Sequence, residues 1–194
     1  MKYIKLLSDF IPPIIYLVLN RLKNQIDVSR AWNKIARYEK LHLACGSNII
    51  NGWANIDLLD QKPIIRLILT DQLPVKSNTI RFIYSEHCIG HINQKQAKRM
   101  LSECYRVLHL GGVIRVFTPD LAKIIDEYLA GRLSEWNDVG WSPLNTCQML
   151  NEGMRLWGYQ FIYDTKELQK LFADCGFREI TLVKWRESRH PVLQ

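Results

Sequence analysis

One stretch constrains this chain more than any other. It is Leu41-His42-Leu43-Ala44-Cys45-Gly46-Ser47, followed by Asn51-Gly52-Trp53-Ala54-Asn55-Ile56-Asp57. A short apolar strand runs into a loop of small residues, and a second short strand ends in a carboxylate. Gly46 and its small neighbours let the backbone approach a ligand where a side chain would collide with it. The acid closing the next strand can accept hydrogen bonds from two hydroxyls at once, which suits a ribose. Two strands merely joined by a loop would give the same local pattern, so the choice rests on the segments C-terminal to it.

Those segments have the spacing of a parallel α/β sheet. Strands are expected over Lys40–Ala44, Trp53–Asp57, Ile64–Leu69, Arg81–Ser85, Val113–Phe117 and Phe177–Trp185. The run from Ile64 is apolar except for Arg66, as in a strand buried on both faces. A helix is expected from Asn93 or Gln94 to Leu108. Ala97, Met100, Leu101, Cys104 and Val107 recur on one side of it, and Gly111-Gly112 reads as its stop. Further helices are expected over Val28–Tyr38, over Leu121–Leu129, and from Asp164 or Thr165 to Ala173, with Gly176 ending the last. Ligands of such sheets sit beyond the carboxyl ends of the strands. Cys45, Gly46, Asp57, Asp71 and Glu86-His87 all fall at those ends, whereas unrelated polar residues would scatter to both edges.

Composition narrows the partners. The net charge of +7 is uneven, with +5 in residues 1–40 and +2 in the rest. A nearly neutral body disfavours a nucleic-acid partner, which calls for a basic face on the fold itself. The five cysteines are scattered without a C-x-x-C pair, so neither a disulfide framework nor a zinc site is expected, and a reducing, cytoplasmic setting is the simplest one. Residues 1–39 form a basic and apolar helical arm. Its run Phe10–Leu19 is too short to span a bilayer, which takes about 20 apolar residues. The arm could lie on the inner face of a membrane or pack on the domain or a second copy.

With these features in place, the chain resembles the class I S-adenosylmethionine-dependent methyltransferases, in their small type-11 branch. The resemblance spans roughly residues 40–190. It rests on LHLACG, GWANIDL, TDQLP, FIYSEH, ECYRVLHLGGVIRVFTPDL and WGYQFIYD, in that order. It implies a Rossmann-like α/β sheet with helices on both faces over residues 40–194, with 131–163 as the substrate cover and the last antiparallel strand missing. An edge left open in that way could pair with a second copy in a homodimer. The cofactor implied is S-adenosyl-L-methionine. Ala44, Cys45 and Gly46 would contact its methionine part, Asp57 its ribose, and Asp71, Gln72 and Leu73 its adenine. Ser85, Glu86 and His87 would border the methyl group. Four positions depart from the family pattern: Ala44 for glycine, His42 for an acid or Asn, Gly90 for Glu and Arg81 for Asp. A modest fit of the Ala44 methyl is expected where its φ is negative.

Methyl transfer asks the protein mainly for positioning, with a base where the acceptor is a hydroxyl. His87 is the first candidate base, and Asp120, closing the VIRVF strand, is either a second one or an N-cap. His87 and His91 lie four apart, but no third ligand is visible and no metal is expected. His91, Trp157 and Tyr163 are expected to face the substrate, within an aromatic segment able to stack on sugar rings or flat acceptors. The expected activity is O-methylation of a small molecule, a saccharide or a lipid-linked precursor. The alternative is a cofactor-binding but inactive relative serving as a partner subunit.

Overall fold

The computed structural model describes residues 28–133, 141–155, 157–184 and 187–194. Most of the expected arm, residues 1–27, lies outside the described residues, as do Trp136 and Trp185. The elements, in chain order, are β1 (Lys40–Leu43), β2 (Ala54–Asp57), β3 (Ile65–Arg66), β4 (Ile80–Glu86), α1 (Gln94–Val107), β5 (Leu108–Phe117), α2 (Leu121–Leu129), α3 (Thr146–Arg155) and α4 (Thr165–Asp174). One sheet holds the five described strands in the order β3-β2-β1-β4-β5. Every pairing in it is parallel. This is the Rossmann-like α/β arrangement that the alternation of strands and helices implies.

β1 is buried throughout its last three residues. Leu41 and Leu43 are 0% exposed and His42 is 1% exposed. Leu41, Leu43, Ile56 and Ile83 join Ala97, Met100, Leu101 and Cys104 of α1 and Leu171 and Phe172 of α4 in a single core. His42 belongs to the opposite pleat. There it lies in register with Asn55 of β2 and Tyr84 of β4, and Tyr84 with Arg115 of β5, so a polar row crosses the middle of the sheet. The Arg115 guanidinium ends that row. It donates to the carbonyl oxygens of Lys184, Glu187 and Leu193 and thereby fastens the C-terminal segment to the sheet.

Three expectations change. The strand expected over Ile64–Leu69 pairs only at Ile65 and Arg66, because β2 offers just Ile56 and Asp57 as partners before it ends. Gly111 and Gly112 do not stop α1. That helix opens on a capping box between Asn93 and Gln96 and ends with Leu108 already extended. The two glycines instead shape a bulge in β5, where Ile80 pairs with Leu108 but Phe82 pairs with Val113. Gly111 has φ +79°, and a Cβ on Gly112 would stand 2.9 Å from the His109 carbonyl oxygen. Residues 177–184 form no strand. Of the expected arm, residues 28–35 pack on the domain. Ala31 and Ile35, in a helical stretch over 28–35, are 2% and 1% exposed and belong to the core, and Lys76 lies over the Trp32 ring.

No helix among the described residues is long and apolar enough to cross a membrane. Ile35→Ala is expected to cost about 2–5 kcal/mol, the usual range for emptying such a core site. Urea unfolding measures it, and an unchanged midpoint would return residues 28–35 to a detachable arm.

Candidate functional site

The site is built where β1, β2 and β4 end on one edge. β1 stops at Leu43 because Ala44 turns left-handed, with φ +54°. An L-residue pays on the order of 1 kcal/mol for that conformation, and a glycine would not. The condition for a modest fit of the Ala44 methyl, a negative φ, is therefore not met. The backbone has the shape a glycine would give it, and the methyl group is carried at a cost. Gly46 follows with φ +52°, and no atom lies within 4 Å of where its Cβ would stand. An open space thus borders the loop backbone. The Asp57 carboxylate, at the end of β2, reaches back across it. Its Oδ2 accepts from the Gly46 N–H at 2.8 Å, and its Oδ1 accepts from the Leu59 N–H at 3.1 Å. A carboxylate has about four lone-pair sites, so two remain for a ligand.

Beneath the loop, His42 and Asn55 brace the two strands. Asn55 donates from Nδ2 to the carbonyl oxygens of Ile50 and Trp53, and its Oδ1 accepts from the Ile50 N–H. That orientation leaves Oδ1 toward His42 Nδ1 at 3.1 Å, so the imidazole is protonated at Nδ1 and donates. Burial holds His42 below the usual histidine range, against the opposing pull of the Asn55 hydrogen bond and the Glu86 and Asp57 carboxylates.

At the end of β4, Ser85 is buried, and the Glu86 carboxylate accepts from the Tyr84 hydroxyl at 3.1 Å. His87 follows with φ +54°, a second left-handed residue, and its ring packs edge-on against Phe117. Its Nδ1 lies 3.0 Å from the Tyr159 hydroxyl. Burial lowers the His87 pKa as well, with Glu86 opposing and His91 adding to the shift. The imidazole is accordingly neutral near pH 7, the form that can accept a proton.

Tyr159 is held from three sides. His91 stacks on its ring at 4.7 Å. Gln160 and Phe161 donate backbone hydrogen bonds to the Gly90 carbonyl at 2.8 and 3.1 Å. A Cβ at Gly90 would come within 2.7 Å of the Tyr159 ring. Gly90, expected to mark a lost carboxylate, is what lets the 159–161 segment close on the site. Beside it, Pro119, Ile124, Trp141, Met149, Trp157 and Tyr159 line a small apolar cleft between α2, α3 and this segment.

Residues 51–116 match the family described as "Methyltransferase domain". That match covers about a third of the chain, from the loop before β2 to the end of β5. No curated protein matches it. Among solved structures it is similar to the Haemonchus contortus phosphoethanolamine N-methyltransferase 2 in complex with phosphomonomethylethanolamine and S-adenosylhomocysteine. The identity there is 18% over 59% of this chain and 21% of that one, with a TM-score of 0.35. It is also similar to a SAM-dependent methyltransferase, possible histamine N-methyltransferase, from Thermotoga maritima (16% identity, 72% of this chain and 64% of that one, TM-score 0.47). A SAM-dependent methyltransferase from Archaeoglobus fulgidus is a third (13% identity, 84% and 75%, TM-score 0.45). The chain spans about a fifth of the first of these proteins and just under two thirds of the second.

The sheet edge brings together Ala44, Cys45, Gly46, Asp57, Ser85, Glu86 and His87. Asp71 and Gln72 stand exposed on the loop after β3. Leu73 does not join them. It is 2% exposed within the core, and its N–H donates to Glu103, so no face is left for a ligand. Tyr163 is likewise a core residue at 1% exposure, packed on Phe161 rather than on the cleft. Burial pushes its hydroxyl up to about 12. The Asp120 carboxylate accepts from the Ala122 N–H and caps α2. Cys45 is buried, and its thiol is pushed up to about 11 by burial. Among the described residues no cluster of His, Cys, Asp and Glu is placed to hold a metal ion. The residue missed from sequence is Tyr159. It stands two residues after Trp157, across a turn at Gly158, and its partner Gly90 carries no side chain to announce the contact.

Strain and burial at this edge each have a measurable consequence. Ala44→Gly is expected to stabilise the fold by about 1 kcal/mol by relieving the left-handed alanine. Equal or lower stability in urea unfolding would refute the strain. A folded-state histidine pKa below the unfolded value favours the neutral form in the native state. That stability is complete above about pH 6.5 and is lost as the pH falls through 6.5 toward the folded value. Stability is therefore expected to drop between about pH 7 and pH 5, and His42→Gln to flatten that drop. An unaltered slope in the variant would exonerate His42.

Proposed function

We propose that this chain transfers a methyl group from S-adenosylmethionine to a small-molecule acceptor whose proton is taken by His87. The observation that carries this reading is the Asp57 carboxylate bonded to Gly46 N–H across an open loop at the strand ends. The donor set fits. Asp57 keeps lone pairs for two ribose hydroxyls, and the space beside Gly46 admits a close-lying chain. S-adenosylmethionine, when bound, supplies a methyl group on a sulfonium that departs as a neutral thioether.

The chain's own residues supply the rest. The loop over Ala44–Gly46 and Asp57 fix the donor's position. Neutral His87 accepts the proton of a hydroxyl as its oxygen lone pair attacks in line, or takes a proton from an ammonium first so that the freed amine lone pair can attack. Tyr159 fixes the tilt of that imidazole through Nδ1, leaving Nε2 as the nitrogen that meets the acceptor. Ala44 and Gly90, the departures behind the alternative of an inactive relative, have structural explanations that leave the site intact. Ala44 keeps the backbone shape of glycine, and Gly90 makes room for Tyr159.

Asp57→Ala is expected to abolish binding of S-adenosylmethionine in calorimetry, and unchanged affinity would reject the ribose role. His87→Ala is expected to lower turnover about 10²- to 10⁴-fold while sparing donor binding. Tyr159→Phe keeps the ring and removes the hydroxyl. It is expected to shift the acidic limb of the pH–rate profile, and an identical profile would reduce Tyr159 to packing.

A further inference from the structure

The cleft that Tyr159 shares with the sheet edge has its own chemistry. Three aromatic rings contribute to it, and the Trp141 and Trp157 planes stand at 88° with centroids 6.5 Å apart. Gly153 on α3 completes the lining, and a Cβ there would press on the Trp141 ring at 3.4 Å. The lining has three polar side-chain atoms, and two are already engaged. Trp141 Nε1 donates to Glu152 at 2.6 Å, and the Tyr159 hydroxyl meets His87. A sugar brings many hydroxyls that need partners, and this lining has few to give. Ring faces favour a different guest. The negative face of an indole attracts a cation that is poorly hydrated, and a methylated ammonium is the usual one. The Glu152 carboxylate adds to this. Bonded to the indole N–H, with its other oxygen held by Gln148, it places a negative charge at the edge of the Trp141 ring. Among the described residues no basic side chain lines the cleft to oppose it.

We propose that this cleft binds an N-methylated ammonium group carried by the acceptor, seated against Trp141, Trp157 and Tyr159. The assignment rests on the methyl-transfer reading for its place in the reaction, since Tyr159 joins the cleft to His87. It narrows the acceptor to an amine-bearing small molecule whose reacting hydroxyl or amino group points toward the sheet edge.

Isothermal titration of the full chain with choline and with its uncharged isostere 3,3-dimethylbutan-1-ol tests it. The two probes match in shape and differ in charge. Choline is expected to bind about tenfold more tightly. Trp157→Leu changes a residue that is 39% exposed, and it is expected to erase this preference with the thermal unfolding midpoint unchanged. Trp157→Phe keeps an aromatic face and is expected to retain part of it. Equal affinity for the two probes, or no choline binding in the millimolar range, would overturn the proposal. Titrating S-adenosylmethionine into the same samples separates the two readings. Donor binding without a choline preference defeats the cleft alone. A choline preference without donor binding defeats methyl transfer and leaves the cleft standing.

Discussion

The hydrogen bond from Gly46 N–H to Asp57 Oδ2 joins the first two strands at the point where they leave the sheet. β1 and β2 are parallel, so their carboxyl ends arrive on the same edge, where the Cys45 N–H donates to the Ile56 carbonyl at 3.1 Å. The carboxylate adds the tie beyond it. It aims the loop backbone and its own free lone pairs into one space. A short apolar residue in its place would leave the Gly46 N–H unpaired and the loop untethered, so the bond that shapes the site also holds the fold together there. His42 and Asn55 support the same junction from below, where a neutral imidazole and a fully engaged amide replace the apolar pair expected at a sheet centre.

Strain gathers at this edge. Ala44 and His87, both side-chain-bearing, both end a strand in the left-handed region. Each turn sends the chain sharply away from its strand. At Ala44 the loop swings over the open space, and at His87 the imidazole is lodged between Phe117 and Tyr159. The compact core of β1, α1 and α4 supplies the stability that offsets these costs.

The sheet was legible in the sequence because its signals are local and redundant. Apolar runs of strand length end in acids or small residues, and α1 carries its periodic face from Ala97 to Val107. The errors came where partners decide. Ile64–Leu69 has the composition of a strand but too little neighbouring strand to pair with. Gly111-Gly112 follows a helix and looks like its stop, while its conformation is set by a bulge against β4. Leu73 follows two exposed residues on the edge loop, yet the core claims its side chain. The gathering of Gly46, Asp57 and His87 at one sheet edge was readable. Tyr159 was not, since its place depends on Gly90, sixty-nine residues earlier.

That dependence separates the two halves of the site physically. The half proposed for the donor is made by strand ends. The half proposed for the acceptor is a segment without regular structure, held to the 3-10 turn Ile89–His91 by backbone bonds to one carbonyl, a side-chain bond from Gln160 Nε2 to the His91 carbonyl, and one stacked ring pair. Few bonds hold it, so the segment over 157–161 is the natural place for acceptor chemistry to vary on this fold without disturbing the donor side. The same clamp ties base and cleft together. Any displacement of Tyr159 moves the His87 hydrogen-bond partner and one wall of the cleft at once, so the orientation of the base is coupled to what the cleft holds.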